Sequence, residues 1–208
     1  MKKFFFSGPF FFLCIANVVI LMKCTPGISG VETTNGFTIT ATTDAIEGTA
    51  PAFSTVYLFD TAYIPYIDSG FGYGTAVTAE KDFRFPLSSG SYNIFVYSYS
   101  GDLGGTAQKV ALADAAESRQ KTMDKTTSIS GFVTMPENTS ALVYIPGSDF
   151  YRLLKESGPF TLTGIPAGTF RIKVARLSGT LSQLTVLHSV KVDVSANTAH
   201  DCGTFTIE

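Results

Sequence analysis

The chain has 208 residues, 45% of them hydrophobic and 15% charged, and a formal net charge of −2 at pH 7. Its 15 Lys and Arg residues form no dense basic patch, so nothing is built to hold a phosphate backbone and nucleic acid is excluded as a partner. Three cysteines are too few for a disulfide framework of several bridges. Taken in chain order, Lys2 and Lys3 precede an apolar run from Phe4 to Met22 that is interrupted by Ser7, Gly8, Pro9 and Asn17. A basic stub before an apolar core reads as an N-terminal signal helix for export, because the core enters the membrane while the lysines stay cytoplasmic. The run approaches the roughly 20 residues a spanning helix needs, so an uncleaved anchor competes, but Pro9 and Asn17 favour a signal.

Leu21-Met22-Lys23-Cys24 resembles a bacterial lipobox, in which a Leu three residues before a Cys guides cleavage and the Cys is lipidated. The resemblance implies a signal peptide over 1–23, lipidation at Cys24 and attachment to the membrane through that lipid anchor. Residues 24–36 then form a polar, Gly- and Thr-rich tether, and the expected location is the cell envelope, at the outer membrane or cell surface. Lys23 stands where that family has a small residue, and cleavage after Ala16 or no cleavage are the alternatives. Cys14 lies inside the apolar core as a small apolar residue. About 180 residues remain, enough for one or two small domains. Cys202 is then the one thiol of the mature chain, and reads as a small buried residue near the last strand.

From Phe37 onward the period is two. Phe37–Thr43, Ser54–Asp60, Asp82–Leu87 and Ser91–Tyr99 alternate apolar and polar residues, and so do Ser128–Thr134, Ala141–Pro146, Phe160–Ile165, Thr169–Leu177 and Leu184–Val194. Alternation places one face on a core and the other in water, as in a sandwich sheet. Turn signals at Ser69-Gly70, Ser88-Ser89-Gly90, Gly101–Gly105 and Pro146-Gly147 separate the runs. Only Ala111–Lys121 reads as helix or turn, Asp114 and Ser118 arguing for the latter. The expected class is all-β.

Asp82–Val96 echoes Pro159–Val174: an aromatic, an alternating strand, Pro with Gly nearby, an aromatic, and a further strand. Ahead of each lies Ser54–Asp60 or Ser140–Pro146, and behind each Ala107–Asp114 or Leu187–Ser195. This predicts two tandem modules, 37–125 and 126–208, each about the size of a seven-strand sandwich. Met123–Ser128 between them has no Gly or Pro run, so the modules are expected to abut. In the second copy Gly131 and Val133, then Gly158, Phe160, Leu162, Ile165, Pro166, Gly168, Phe170, Ile172 and Val174, resemble the carboxypeptidase regulatory-like domain. That resemblance implies a transthyretin-like (prealbumin-like, Ig-like) β-sandwich. The first copy departs from the pattern at Pro86-Leu87 and carries an insertion, Ser69–Val77. The family implies accessory roles, structural, adhesive or ligand-binding, and no chemistry of its own.

Catalytic patterns are sparse, and the reading is not an enzyme, with no cofactor and no metal. His188 and His200 lack metal-ligand spacing, and no nucleophile elbow is present. Gly70–Ala76 is Gly-rich but lacks the Lys and helix that give a phosphate loop its geometry. Asp44/Glu47 and Asp114/Glu117 read as exposed carboxylates rather than acid–base pairs. One feature stands out: tyrosines crowd the first module. Alternation puts Tyr92, Ile94 and Val96 on the core and turns Phe95, Tyr97 and Tyr99 outward. Tyr63, Tyr66, Tyr73, Tyr97 and Tyr99 are therefore the candidate ligand or partner surface, for an envelope protein or a polysaccharide. Cross-strand tyrosine pairs that merely stabilise a sheet face are the competing reading, and the absence of Trp weakens the sugar case.

Overall fold

The computed structural model describes residues 35–68, 73–77, 81–112, 116–178 and 183–208. The expected signal segment 1–23, Cys14, Ala16, the expected lipidation site Cys24 and residues 24–34 of the expected tether lie outside them, as do Gly70–Gly72 and Asp114. Among the described residues every regular element is a strand, sixteen in all, so the all-β class holds. No helix among them is long and apolar enough to cross a membrane.

Residues 36–125 supply nine strands: β1 (Gly36–Ala41), β2 (Ala45–Thr49), β3 (Thr55–Asp60), β4 (Tyr73–Ala76), β5 (Asp82–Pro86), β6 (Ser91–Tyr97), β7 (Leu103–Ala111), β8 (Glu117–Thr122) and β9 (Asp124–Lys125). They form two sheets, ordered β5-β2-β1-β8 and β4-β3-β6-β7-β9. Residues 127–206 supply seven more: β10 (Thr127–Thr134), β11 (Ser140–Tyr144), β12 (Tyr151–Leu154), β13 (Gly158–Ile165), β14 (Gly168–Ser178), β15 (Gln183–Val194) and β16 (His200–Thr206). Their sheets run β13-β10-β16 and β12-β11-β14-β15. Pairing is antiparallel throughout except β10 with β16. The internal echo survives as topology: β4-β3-β6-β7 has the order of β12-β11-β14-β15.

The alternation is visible in burial. In β1, Phe37, Ile39 and Ala41 are buried while the threonines between them are half-exposed, and in β5 Phe83 and Phe85 are buried between charged neighbours. These side chains, with Val56, Leu58, Ile94 and Val96, fill one core between the two N-terminal sheets. A second core gathers Ile129, Val143, Phe160, Ile165, Phe170, Ile172 and Phe205 from the two C-terminal sheets, giving each half a sandwich character.

Two expectations need correction. Ala111–Lys121 is neither helix nor turn at its described ends: Ala111 closes β7, and Glu117–Lys121 lies in β8, paired with β1 along its whole length. Ladder pairing overrides a local sequence that carries no apolar period. The larger difference is β6. Its burial is not one-sided: Tyr92, Ile94 and Val96 enter the N-terminal core, while Phe95, at 1% exposure, enters the C-terminal one together with Phe59 of β3. The outer face of the β4-β3-β6-β7-β9 sheet is thus covered by the C-terminal half, and Thr34–Glu208 makes one compact unit.

Candidate functional site

The expected tyrosine surface falls where the two halves meet, and its members have different fates. Tyr97 does not face water. Its ring packs against the C-terminal core and lies edge-on to Tyr57 at 6.2 Å. Its hydroxyl is buried with no hydrogen-bond partner, and burial, helped by the nearby Asp149 carboxylate and by Tyr57, holds its pKa well above the usual phenol value. The physical reason is the cover over β6: Phe95 meets Phe150 edge-on at 5.6 Å and stacks on Phe170 at 6.5 Å. Tyr99, two residues beyond β6, is 89% exposed.

Tyr63 and Tyr66 lie on the connection after β3. Asp60 caps its start by accepting from the Ala62 amide at 2.7 Å, and Asp68 accepts from the Ile64 amide at 2.6 Å, so the connection is a built turn. Within it Tyr63 is half-buried, its ring 5.5 Å from Phe59. Its hydroxyl pKa is raised by burial first, then by Asp68, Asp149 and Tyr151. Tyr66 holds a left-handed φ of 73° and turns its ring to solvent, 5.8 Å from that of Tyr151. Tyr73 opens β4 opposite Leu58, and its side chain lies outside the described residues.

Three residues at the end of the β11–β12 connection and the start of β12 complete the cluster and escaped the sequence reading: Asp149, Phe150 and Tyr151. The signal was present, an acid and two rings just after the Pro146-Gly147 turn, but it lies far from the tyrosine-rich segment in sequence. Asp149 is exposed at its periphery, yet its carboxyl is desolvated enough to raise its pKa, offset in part by a bond from its own amide. Gly147 brings this connection close, for its φ of 66° suits glycine and a Cβ there would strike the Asn93 amide. Its amide donates to the Tyr63 carbonyl at 2.7 Å, and its carbonyl accepts from Asn93 Nδ2 at 3.0 Å.

Chemically, the cluster is an aromatic seam with two carboxylates, Asp68 and Asp149, at its rim. Its exposed rings offer no common plane: Tyr66 and Tyr151 are tilted by 41°. Elsewhere, Asp44 and Glu47 both pair with Arg84, at 3.1 and 3.3 Å, on the surface. His188 Nε2 lies 2.7 Å from the Thr206 carbonyl, and His200 Nε2 accepts from the Ser195 amide. Cys202 is half-buried against the C-terminal core, and desolvation pushes its thiol pKa up, as for an inert packing residue rather than a nucleophile. Among the described residues no three His, Cys, Asp or Glu side chains gather closely enough to hold a metal ion. The Gly164–Gly168 turn joins β13 to β14 and ends against the other half, where Thr169 accepts from Gln108 Nε2 at 2.8 Å.

A scan against family models finds no match, and a search of curated proteins finds none. Among solved structures the Bacillus anthracis TIE protein is similar with a TM-score of 0.25 and 13% identity, over 84% of this chain and 41% of that one. The chain thus spans less than half of that protein's length, and a similarity this low carries no argument.

Proposed function

We propose that the chain is a non-catalytic, exported lipoprotein of the cell envelope, anchored through Cys24, whose sandwiches serve as a structural or protein-contact element. In this reading 37–125 and 126–208 are tandem transthyretin-like sandwiches, the second of the carboxypeptidase regulatory-like type. The matching strand orders of β4-β3-β6-β7 and β12-β11-β14-β15 support the tandem reading. The observation that carries the role is the closed seam: Phe59, Phe95 and Tyr97 pack into the C-terminal core instead of presenting a platform. A carbohydrate platform needs rings open to solvent, whereas a spacer needs halves that do not slide. The second reading, a carbohydrate-binding surface lipoprotein, draws on the rings that remain outside, Tyr66 and Tyr99.

Two measurements test these readings. Cells fed an alkyne analogue of palmitate should label the wild-type chain and not Cys24→Ala; label that persists in the variant refutes the anchor. On a glycan array the full chain should retain no glycan. Retention that disappears in Tyr66→Ala/Tyr99→Ala would replace the contact reading with the carbohydrate one.

A further inference from the structure

Every free sheet edge is a template for another strand unless something blocks it. Most edges here are blocked. Edge strand β5 carries Asp82, Arg84 and Pro86, and β8 alternates Glu117, Arg119 and Lys121 with polar residues. β4 and β12 have only 4 residues each, and β9 only 2. Pro159 lies in β13, and β16 meets its neighbour at an irregular register beside Gly203, whose φ is 73°. β15 is different. It is the longest of the described strands at 12 residues, has no proline, pairs with β14 alone among them, and beyond its one register break at Leu187 its ladder runs regularly from His188 to Val194. It exposes Val186, Leu187 and Val190 at 42%, 39% and 37%.

We infer that β15 is a self-association edge, pairing antiparallel with β15 of a second copy about a two-fold axis at Val192. This deepens the contact-element reading, on which it rests, by naming the partner. Geometry restricts the axis to a residue position, and charge favours the one that pairs Lys191 with Asp193. Adjacent antiparallel pairs alternate between hydrogen-bonded and non-hydrogen-bonded types, so a two-fold axis must pass through a residue facing its own copy. An axis at Lys191 or at Asp193 would oppose like charges directly, which destabilises a sheet pair. An axis at Val192 sets Lys191 opposite Asp193 of the second copy, twice by symmetry, and sets Val190 opposite the buried Val194, so the shared ladder runs from Val190 to Val194. Lys191 and Asp193 already share one face, their charges 3.7 Å apart within the chain and both open to solvent. The strand therefore carries its own charge complement, which an unrelated peptide would have to supply by chance.

The test is sedimentation of the full chain in excess detergent micelles. The wild type should run as a dimer at micromolar concentration. Lys191→Asp, which sets Asp against Asp193 of the second copy, should weaken the dimer about tenfold or more. The double variant Lys191→Asp/Asp193→Lys should restore it, since the opposed signs are kept. A monomeric wild type, a dimer indifferent to Lys191→Asp, or a charge swap that fails to rescue would overturn the pairing. A monomer that captures a different envelope protein would overturn it too, while leaving the contact-element reading intact. Palmitate label that persists in Cys24→Ala, by contrast, bears on Cys24 and not on β15.

Discussion

Tyr97 and Tyr144 each hold a hydroxyl that is buried without a partner. Tyr144 is fully covered, at 0% exposure, and its ring belongs to the small cluster of Leu142, Ala175 and Leu177. An unpaired buried hydroxyl has lost its water and gained nothing in exchange, a cost of about 1–3 kcal/mol. Removing the oxygen while keeping the ring should therefore leave stability unchanged or raise it, by up to about that amount. Tyr144→Phe and Tyr97→Phe, compared with wild type by urea denaturation, should show midpoints equal to or above the parent. A loss of more than about 1 kcal/mol would mean that the oxygen has a bonding partner after all, and the account fails. The role of Gly131 emerges only from the fold: a Cβ there would lie 2.7 Å from the Phe160 ring and 2.8 Å from the Gly203 carbonyl, so only glycine admits the ring. Tyr97 was misread because alternation says which residues share a face, and not what covers that face.

At the scale of elements, strands with a strong period of two were legible, and β1, β3, β6, β10 and β13 lie within a residue or two of their expected bounds. β8 was not, because Glu117–Thr122 has no apolar residue and exists only through its ladder to β1. The 61–68 connection was equally opaque, since its apolar residues follow no strand or helix period. In fact Ile64 and Ile67 pack on Leu142, Tyr144, Ala175 and Leu177, on the face of the β12-β11-β14-β15 sheet turned away from the C-terminal core. That sheet is therefore covered on both faces, and the loop acts as part of the core. Ile67→Asp places a charge on this apolar contact and should lower stability by about 1.5–3 kcal/mol. Tyr99→Ala, at an exposed ring, should stay within about 0.5 kcal/mol. Thermal melts of the two variants separate the cases: equal behaviour would show that the loop is only draped over the sheet.

For the whole molecule the question is whether two repeats in sequence make two units in stability. The seam argues for one. Phe59 and Phe95 come from the N-terminal half and lie in the C-terminal core, and backbone bonds cross from Gly147 to Tyr63 and from Asn197 to Lys125. Side chains cross as well, from Asn93 to Gly147 and from Gln108 to Thr169. Unfolding either half alone would expose this aromatic seam and break those crossing bonds, so partial unfolding costs nearly as much as complete unfolding. Phe95→Ala removes a ring at 1% exposure and should cost about 3–5 kcal/mol. Native-state hydrogen exchange gives the decisive readout, because it reports each strand separately. Protection should fall by the same free energy in β1, which Phe95 does not touch, as in β10 of the other half. If β10 loses protection while β1 keeps its own, or if the wild type shows two separate exchange classes divided near residue 126, the halves are independent. The seam would then be a contact between neighbours rather than a shared core.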